Sequence, residues 1–465
     1  MKYKIPLVTA IIIAVVTGLL VLFITRNFIS NLISPPCTGV ELRTVKIADA
    51  QGEQLKDTVI RLNYECNEVL LNPNIGNTVV LRQYLSDQNF ARVETCICPD
   101  KLELWRYTGT GDVDAIGIVK NPPPGTGGVG LGLNYSLGSS PDLDLYTGLF
   151  SSDNNNPTDT SAPVVKIGVV DTGVDISPPN PPDPQSYLYN FLWTNTQQPC
   201  GITPGPFGVN ILNGLAPSDL NGHGTHINGI IAGVPPQAGS NLVKALDGTE
   251  KRVRLEILNA KFTQDPTSSG NLFQAVCALY YCLEQRVEVI NISWGYLSDS
   301  IPRIMQPFLK EARDANVVVV AGLGNDGKPL KGPDGTLKFW PAGFSGAYDN
   351  VISVGASDNN GIMAPFSNFG DIDIMNVVAP GVLIVSTFPK YLQALPQSGL
   401  AAESGTSMAT PIVTRTVAIM IGKKKLDHAG YTPAILKTAL INHANPNRAL
   451  GNYVYKHDNV LAVPF

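Results

Sequence analysis

No dense cluster of lysine or arginine occurs anywhere in the 465 residues; the longest basic run is Lys423-Lys424-Lys425, and the net charge is −5 with a pI near 5.6. Nucleic acid is therefore excluded as a partner, because phosphate binding needs a concentrated cationic face. Cysteine is sparse: Cys37, Cys66, Cys96, Cys98, Cys200, Cys277 and Cys282 make an odd count of seven, with no visible disulfide framework. Cys96 and Cys98 stand two apart on an expected strand, and Cys277 and Cys282 five apart on an expected helix. Both pairs are expected to remain ordinary thiols. The zinc-protease motif is missing too. His223 and His226 share a helical face, but no glutamate lies between them and no neighbouring cysteine or carboxylate completes a ligand set. No metal site is expected.

Charge is absent altogether from Ile5 to Thr25, where the only polar side chains are threonines. At 1.5 Å per residue this run covers about 30 Å, the thickness of a bilayer core. A transmembrane anchor is expected over residues 1–30. A cleaved signal peptide has an apolar core of about 7–15 residues followed by a small-x-small site, whereas here Arg26-Asn27-Phe28 follows. Lys2 and Lys4 outnumber Arg26 at the flanks, which puts the amino terminus in the cytoplasm. The expectation is a single-pass protein of the cell membrane whose remaining chain is extracytoplasmic.

Residues 37–120 read as a small α+β unit, with strands at Val40–Ile47, Thr58–Tyr64, Ala91–Cys98 and Lys101–Tyr107 and a helix at Val79–Gln88. Residues 121–161 are rich in Pro, Gly, Ser and Asn and read as linker; Asp153 to Asp159 could bind calcium, but a solvated linker fits better. From 162 to 465, β-rich runs at Val164–Val170, Arg254–Ala260, Val287–Ile292, Val317–Ala321 and Val351–Gly355 alternate with helix-length stretches. That alternation predicts an α/β fold with a doubly wound, mostly parallel sheet, whose active groups gather at the carboxyl ends of strands.

Three segments carry chemistry. Ser404-Gly405-Thr406-Ser407-Met408-Ala409-Thr410-Pro411 reads as a turn entering a helix, with Pro411 in its first turn and Ser407 beside free N–H groups that favour developing negative charge. Thr406 or Ser407 could equally be a simple N-cap. Asp171-Thr172-Gly173 puts a carboxylate on a tight turn, and Asn221-Gly222-His223-Gly224-Thr225-His226 opens a helix of small residues. An imidazole and a carboxylate are what a weak alcohol nucleophile needs. Asp171 could also be only a turn former, and Asn325-Asp326-Gly327 only a loop turn.

In the order Asp171, His223, Ser407, these segments resemble the signatures of the subtilisin-like (subtilase) serine proteases, a chain order for which subtilisin is the reference case. The resemblance runs from about Ala162 to the carboxyl terminus. It implies Ser407 as nucleophile, His223 as general base and acid, Asp171 as its orienter and Asn325 as oxyanion donor. It also implies a substrate-binding strand that includes Ser293, Trp294 and Gly295, and protein or peptide substrates. No cofactor is required; structural calcium is a family feature that falls on no particular residues here. Residues 38 to about 150 occupy the propeptide's place; if they are processed, the anchor leaves with them.

Three departures from the family pattern carry expectations. Trp294 and Tyr296 stand where smaller residues are usual, so the pocket before the scissile bond is expected to be reshaped. Arg415 replaces a small residue in an apolar helix and is expected to need a carboxylate or solvent. A pseudoprotease that only binds peptides, and a metal-dependent hydrolase built on His223 and His226, are the rival readings.

Overall fold

Alternating apolar residues in the first third of the chain build an antiparallel sheet. The computed structural model describes residues 38–48, 55–137 and 161–443, apart from short stretches within them, together with 445–446 and 459–460. Strands β1 (Thr38–Ala48), β2 (Leu55–Leu71), β3 (Phe90–Thr95), β4 (Glu103–Tyr107) and β5 (Leu131–Leu137) carry helices α1 (Thr78–Asp87) and α2 (Ala115–Lys120). The order is β5-β2-β4-β3, with β1 also on β2. Asn77 and Asp114 cap the two helices by accepting from Val80 N and Ile116 N.

The residues expected to be linker from 121 to 161 thus include a strand. Leu131, Leu133, Tyr135 and Leu137 alternate with Gly132, Asn134 and Ser136, and burying that face outweighs the loop-like composition around it. The apolar run 5–25 and the Asp153–Asp159 segment lie outside the described residues. Among the described residues, no helix is long and apolar enough to cross a membrane.

The second unit contributes β6 (Val164–Asp171), β7 (Gly208–Asn210), β8 (Leu242–Lys244), β9 (Arg252–Lys261), β10 (Gly270–Asn271), β11 (Val289–Ile292), β12 (Tyr296–Ser298), β13 (Val318–Gly322), β14 (Lys338–Trp340), β15 (Val351–Ser357) and β16 (Val377–Pro380). Further along come β17 (Ile384–Thr387), β18 (Leu400–Glu403), β19 (Asn445–Pro446) and β20 (Asn459–Val460). The main sheet runs β16-β15-β13-β11-β6-β9-β7 with every neighbouring pair parallel. β8 pairs antiparallel with β9, while β20 extends the far edge in parallel and carries β19 antiparallel on it. Its central strands are buried on both faces. Val318 and Val320 face one apolar layer with Ile227, Ile230, Ile412 and Val413; Val319 and Ala321 face another with Tyr280, Phe308 and Leu309.

Helices α3 (His223–Ala232), α6 (Thr406–Leu426) and α7 (Pro433–His443) supply the first of those layers, and α4 (Leu272–Glu284) and α5 (Gln306–Asp314) the second. This is the expected α/β architecture with helices on both sheet faces.

The two units are joined more closely than a linker implies. β10 pairs antiparallel with β5, Gly270 opposite Leu137 and Asn271 opposite Ser136, so a strand of the second unit completes the small sheet. Disulfides also connect them: Cys96 to Cys277 and Cys98 to Cys200. Cys66 is disulfide-bonded as well. The expectation of ordinary thiols is corrected here. Strand β3 ends at Thr95, so Cys96 and Cys98 sit in the turn that docks on α4, and partners 181 and 102 residues away leave no trace in local spacing. Cys277 and Cys282 do not bridge to each other. Cys282 is a buried free thiol, and burial pushes its pKa far up, which keeps it inert.

Candidate active site

The carboxyl ends of three neighbouring strands converge. In register, Ile292 of β11 lies beside Val170 of β6 and beside Ala321 of β13, so the residues that follow, Ser293, Asp171 and the loop to Asn325, emerge side by side. Asp171 is 2% exposed. Its Oδ1 accepts from Thr172 N at 2.8 Å and stands 2.7 Å from His223 Nδ1. An ionised carboxylate can only accept, so Nδ1 carries the proton and Nε2 is left as the basic nitrogen.

His223 opens α3, and two glycines make that position accessible. Gly222 has φ of 105° in the left-handed region, and a Cβ there would meet the Phe388 ring at 2.3 Å. A Cβ on Gly224 would come within 2.2 Å of Gly173 O, on the turn that presents Asp171.

Ser407 is the second residue of α6, so its N–H has no carbonyl within the helix to bond to. Pro411 was expected in the first turn of this helix; it is the sixth helical residue. Lacking an N–H, it cannot bond Ser407 O, and Ser293 Oγ donates to that carbonyl instead at 2.9 Å. The Ser407 hydroxyl returns the contact, donating to Ser293 O at 3.0 Å. The proline thus frees the carbonyl that pins the serine turn to the end of β11.

Asn325 Oδ1 accepts from Thr406 N at 2.8 Å and Thr406 Oγ1 at 3.0 Å. Because a backbone N–H only donates, that atom must be the amide oxygen, and Nδ2 is therefore turned toward the Gly405-Ser407 backbone. Trp294 is buried: its indole N–H donates to Val170 O at 2.9 Å, and its ring packs on Phe262 with centroids 5.1 Å apart. Gly295 lies where a Cβ would meet Trp340 O at 2.4 Å.

Asp219 was missed from sequence. It is fully buried and accepts five hydrogen bonds: Thr172 Oγ1 at 2.9 Å, Asn221 N at 3.0 Å and Gly222 N at 2.9 Å on Oδ1, with Thr225 N at 2.8 Å and Thr225 Oγ1 at 2.6 Å on Oδ2. It therefore holds the residue after Asp171 and the residues on either side of His223. Its place four residues before the histidine was the one available signal, and a loop aspartate looks the same.

His226 is fully buried, and Nε2 lies 3.2 Å from Ala401 O. Burial, with His223 nearby, pulls its pKa down to about 3, so it is a neutral structural residue. Among the described residues, no group of three or more His, Cys, Asp or Glu could hold a metal. Arg415 is partly exposed, and its Nη1 donates to Ile231 O at 2.6 Å, in the last turn of α3. A cation is favourable at that negative helix end, although burial lowers its pKa. This contact ties the helix that begins with His223 to the one that begins beside Ser407.

A model of the subtilase family matches residues 163–456, which include every residue of this site. The chain belongs to the subtilase family. This subtilase is 32% identical over 292 residues to a thermophilic serine proteinase of Bacillus sp. (strain AK1), a match covering 62% of the chain and 61% of that protein. It is 33% identical over 215 residues to an intracellular serine protease of Paenibacillus polymyxa, covering 46% of the chain and 56% of the relative. To the major intracellular serine protease of Bacillus subtilis (strain 168) it is 30% identical over 266 residues, covering 55% of the chain and 68% of the relative. The chain thus spans between 56% and 68% of the length of these relatives.

Proposed function

We propose that the protein is a serine endopeptidase that hydrolyses peptide bonds through an acyl-enzyme. What carries the reading is the buried 2.7 Å bond between His223 Nδ1 and Asp171 Oδ1 in a chain of a serine-protease family. With Nδ1–H held by Asp171, Nε2 takes the Ser407 proton as Oγ attacks the carbonyl carbon. The Ser407 hydroxyl proton, which goes to Ser293 O in this structure, is given to the imidazole in the attack. Negative charge on the substrate oxygen is received by Ser407 N–H and Asn325 Nδ2, and the imidazolium then gives its proton to the departing amine. Water attacks the acyl-enzyme by the same route in reverse. Ser293, Trp294 and Gly295 supply the strand edge along which substrate lies. No step runs through a metal.

The proposal extends to location: a single-pass membrane protein with its site on the extracytoplasmic side. Residues 5–25 provide a charge-free run of spanning length, and disulfide-bonded cysteines belong to oxidising compartments. Retention in the membrane pellet after carbonate washing checks this; recovery of uncleaved chain in the wash overturns it.

A fluorophosphonate probe tests the chemistry. Labelling of the purified protein that disappears in Ser407→Ala establishes the activated serine. A folded sample that takes no label rejects the reading.

A further inference from the structure

The junction between the two units is built as a permanent one. Two disulfides cross it, and three of their four cysteines are buried, Cys96 3% exposed, Cys98 2% and Cys277 1%, with Cys200 partly buried. β5 and β10 make the small sheet continuous across it. Asn134, fully buried on β5, donates to Glu68 Oε2 at 2.8 Å and accepts from Phe273 N at 3.1 Å, so an amino-terminal side chain satisfies a first-turn N–H of α4.

Tyr135 stacks on Tyr296 with centroids 4.9 Å apart. Lys101 bonds Glu311 Oε2 at 2.7 Å while lying over the Tyr280 ring. Leu104, Trp105 and Leu133 share one apolar cluster with Phe273, Tyr280 and Phe308 of α4 and α5. None of these contacts uses a group of the proposed catalytic machinery.

We infer that residues 38–137 are a permanent second domain of the mature protein, not a part that leaves on processing. A cut at any peptide bond between 138 and 160 yields two chains held by Cys96–Cys277 and Cys98–Cys200. Whatever lies before residue 38 then stays attached to the unit that carries Ser407, so proteolytic processing does not shed that unit from an amino-terminal anchor. The anchor itself rests on the proposal above; the covalent retention does not.

The test uses the full chain carrying Ser407→Ala, with a recognition sequence for a site-specific protease inserted between residues 141 and 156, produced in an oxidising compartment. The protein is cut to completion, blocked with iodoacetamide and denatured. Without reductant, one species is expected with the mass of the uncut chain plus one water; after dithiothreitol it splits in two. Two species without reductant overturn the inference. Non-reducing peptide maps must also contain the Cys96–Cys277 and Cys98–Cys200 peptides. Cys200→Ala, which removes one bridge, is expected to leave the cut chains joined by the other, and their separation would equally refute the assignment. Because the serine is absent throughout, failure here is distinct from failure of the protease reading.

Discussion

Replacing Asp219 by asparagine exchanges one oxygen for nitrogen in a fully buried side chain and leaves its shape unchanged. The carboxylate accepts three hydrogen bonds on Oδ1 and two on Oδ2. An amide keeps only one accepting oxygen. If that oxygen stays with Thr172, Asn221 and Gly222, the NH₂ group confronts Thr225 N–H; if it turns over, it confronts the N–H groups of Asn221 and Gly222. Either way at least one buried N–H is orphaned and one charge-assisted bond lost, at about 1–3 and 1.5–3 kcal/mol respectively. The expected loss of stability is about 2.5–6 kcal/mol, measured by urea unfolding of the Ser407→Ala background to avoid self-digestion.

The same substitution loosens the turn after Asp171 and both flanks of His223. A displacement near 1 Å costs on the order of 100-fold in rate. The fall should lie in kcat with KM little changed, because Asp219 touches no substrate. An Asp219→Asn protein within threefold of wild-type kcat and within 1 kcal/mol of its stability would refute the reasoning.

Asn325→Ala should lower kcat by about 10²–10³-fold with KM nearly constant in steady-state peptide hydrolysis, the loss known for the corresponding amide in subtilisin itself. Ser293→Ala leaves Ser407 O without the donor that Pro411 cannot supply, at a cost of about 1–3 kcal/mol in unfolding experiments; adding Pro411→Ala restores an N–H to that carbonyl and should recover part of the loss. His226 takes a proton near pH 6.5 when unfolded but only near pH 3 when folded. Its contribution to stability is therefore complete above about pH 6.5 and declines as pH falls toward 3. At about 1.4 kcal/mol per pH unit the decline is at most about 5 kcal/mol, read as a flatter stability–pH curve in His226→Asn.

Much of the second unit was legible because its determinants are local. Val318-Val319-Val320-Ala321 can only be a strand covered on both faces, and the Asp171, His223 and Ser407 segments each carry their turn and helix-start residues with them. Long-range partners were not legible. Nothing beside Cys96 or Cys98 points to Cys277 or Cys200, and nothing beside Arg415 points to Ile231 O. Strand β5 was hidden because Gly132, Asn134 and Ser136 on its other face match the composition of the linker around it. Pro411 was read as a helix-start marker, although its consequence lies in the bond it withholds from Ser407 O.

The nested pairing of Cys96 with Cys277 and Cys98 with Cys200 has a further consequence for how the protein can be made. Synthesis delivers these two neighbouring thiols well before their partners, 102 residues before Cys200 in one case and 181 before Cys277 in the other. In the meantime the nearest sulfur to each is the other, and either can also take the wrong late partner. Correct assembly therefore depends on an environment that oxidises thiols and reshuffles mistaken pairs until the fold selects the right ones. A chain produced in a reducing cytosol would contain Asp171, His223 and Ser407 but would lack the covalent frame in which the second unit is held.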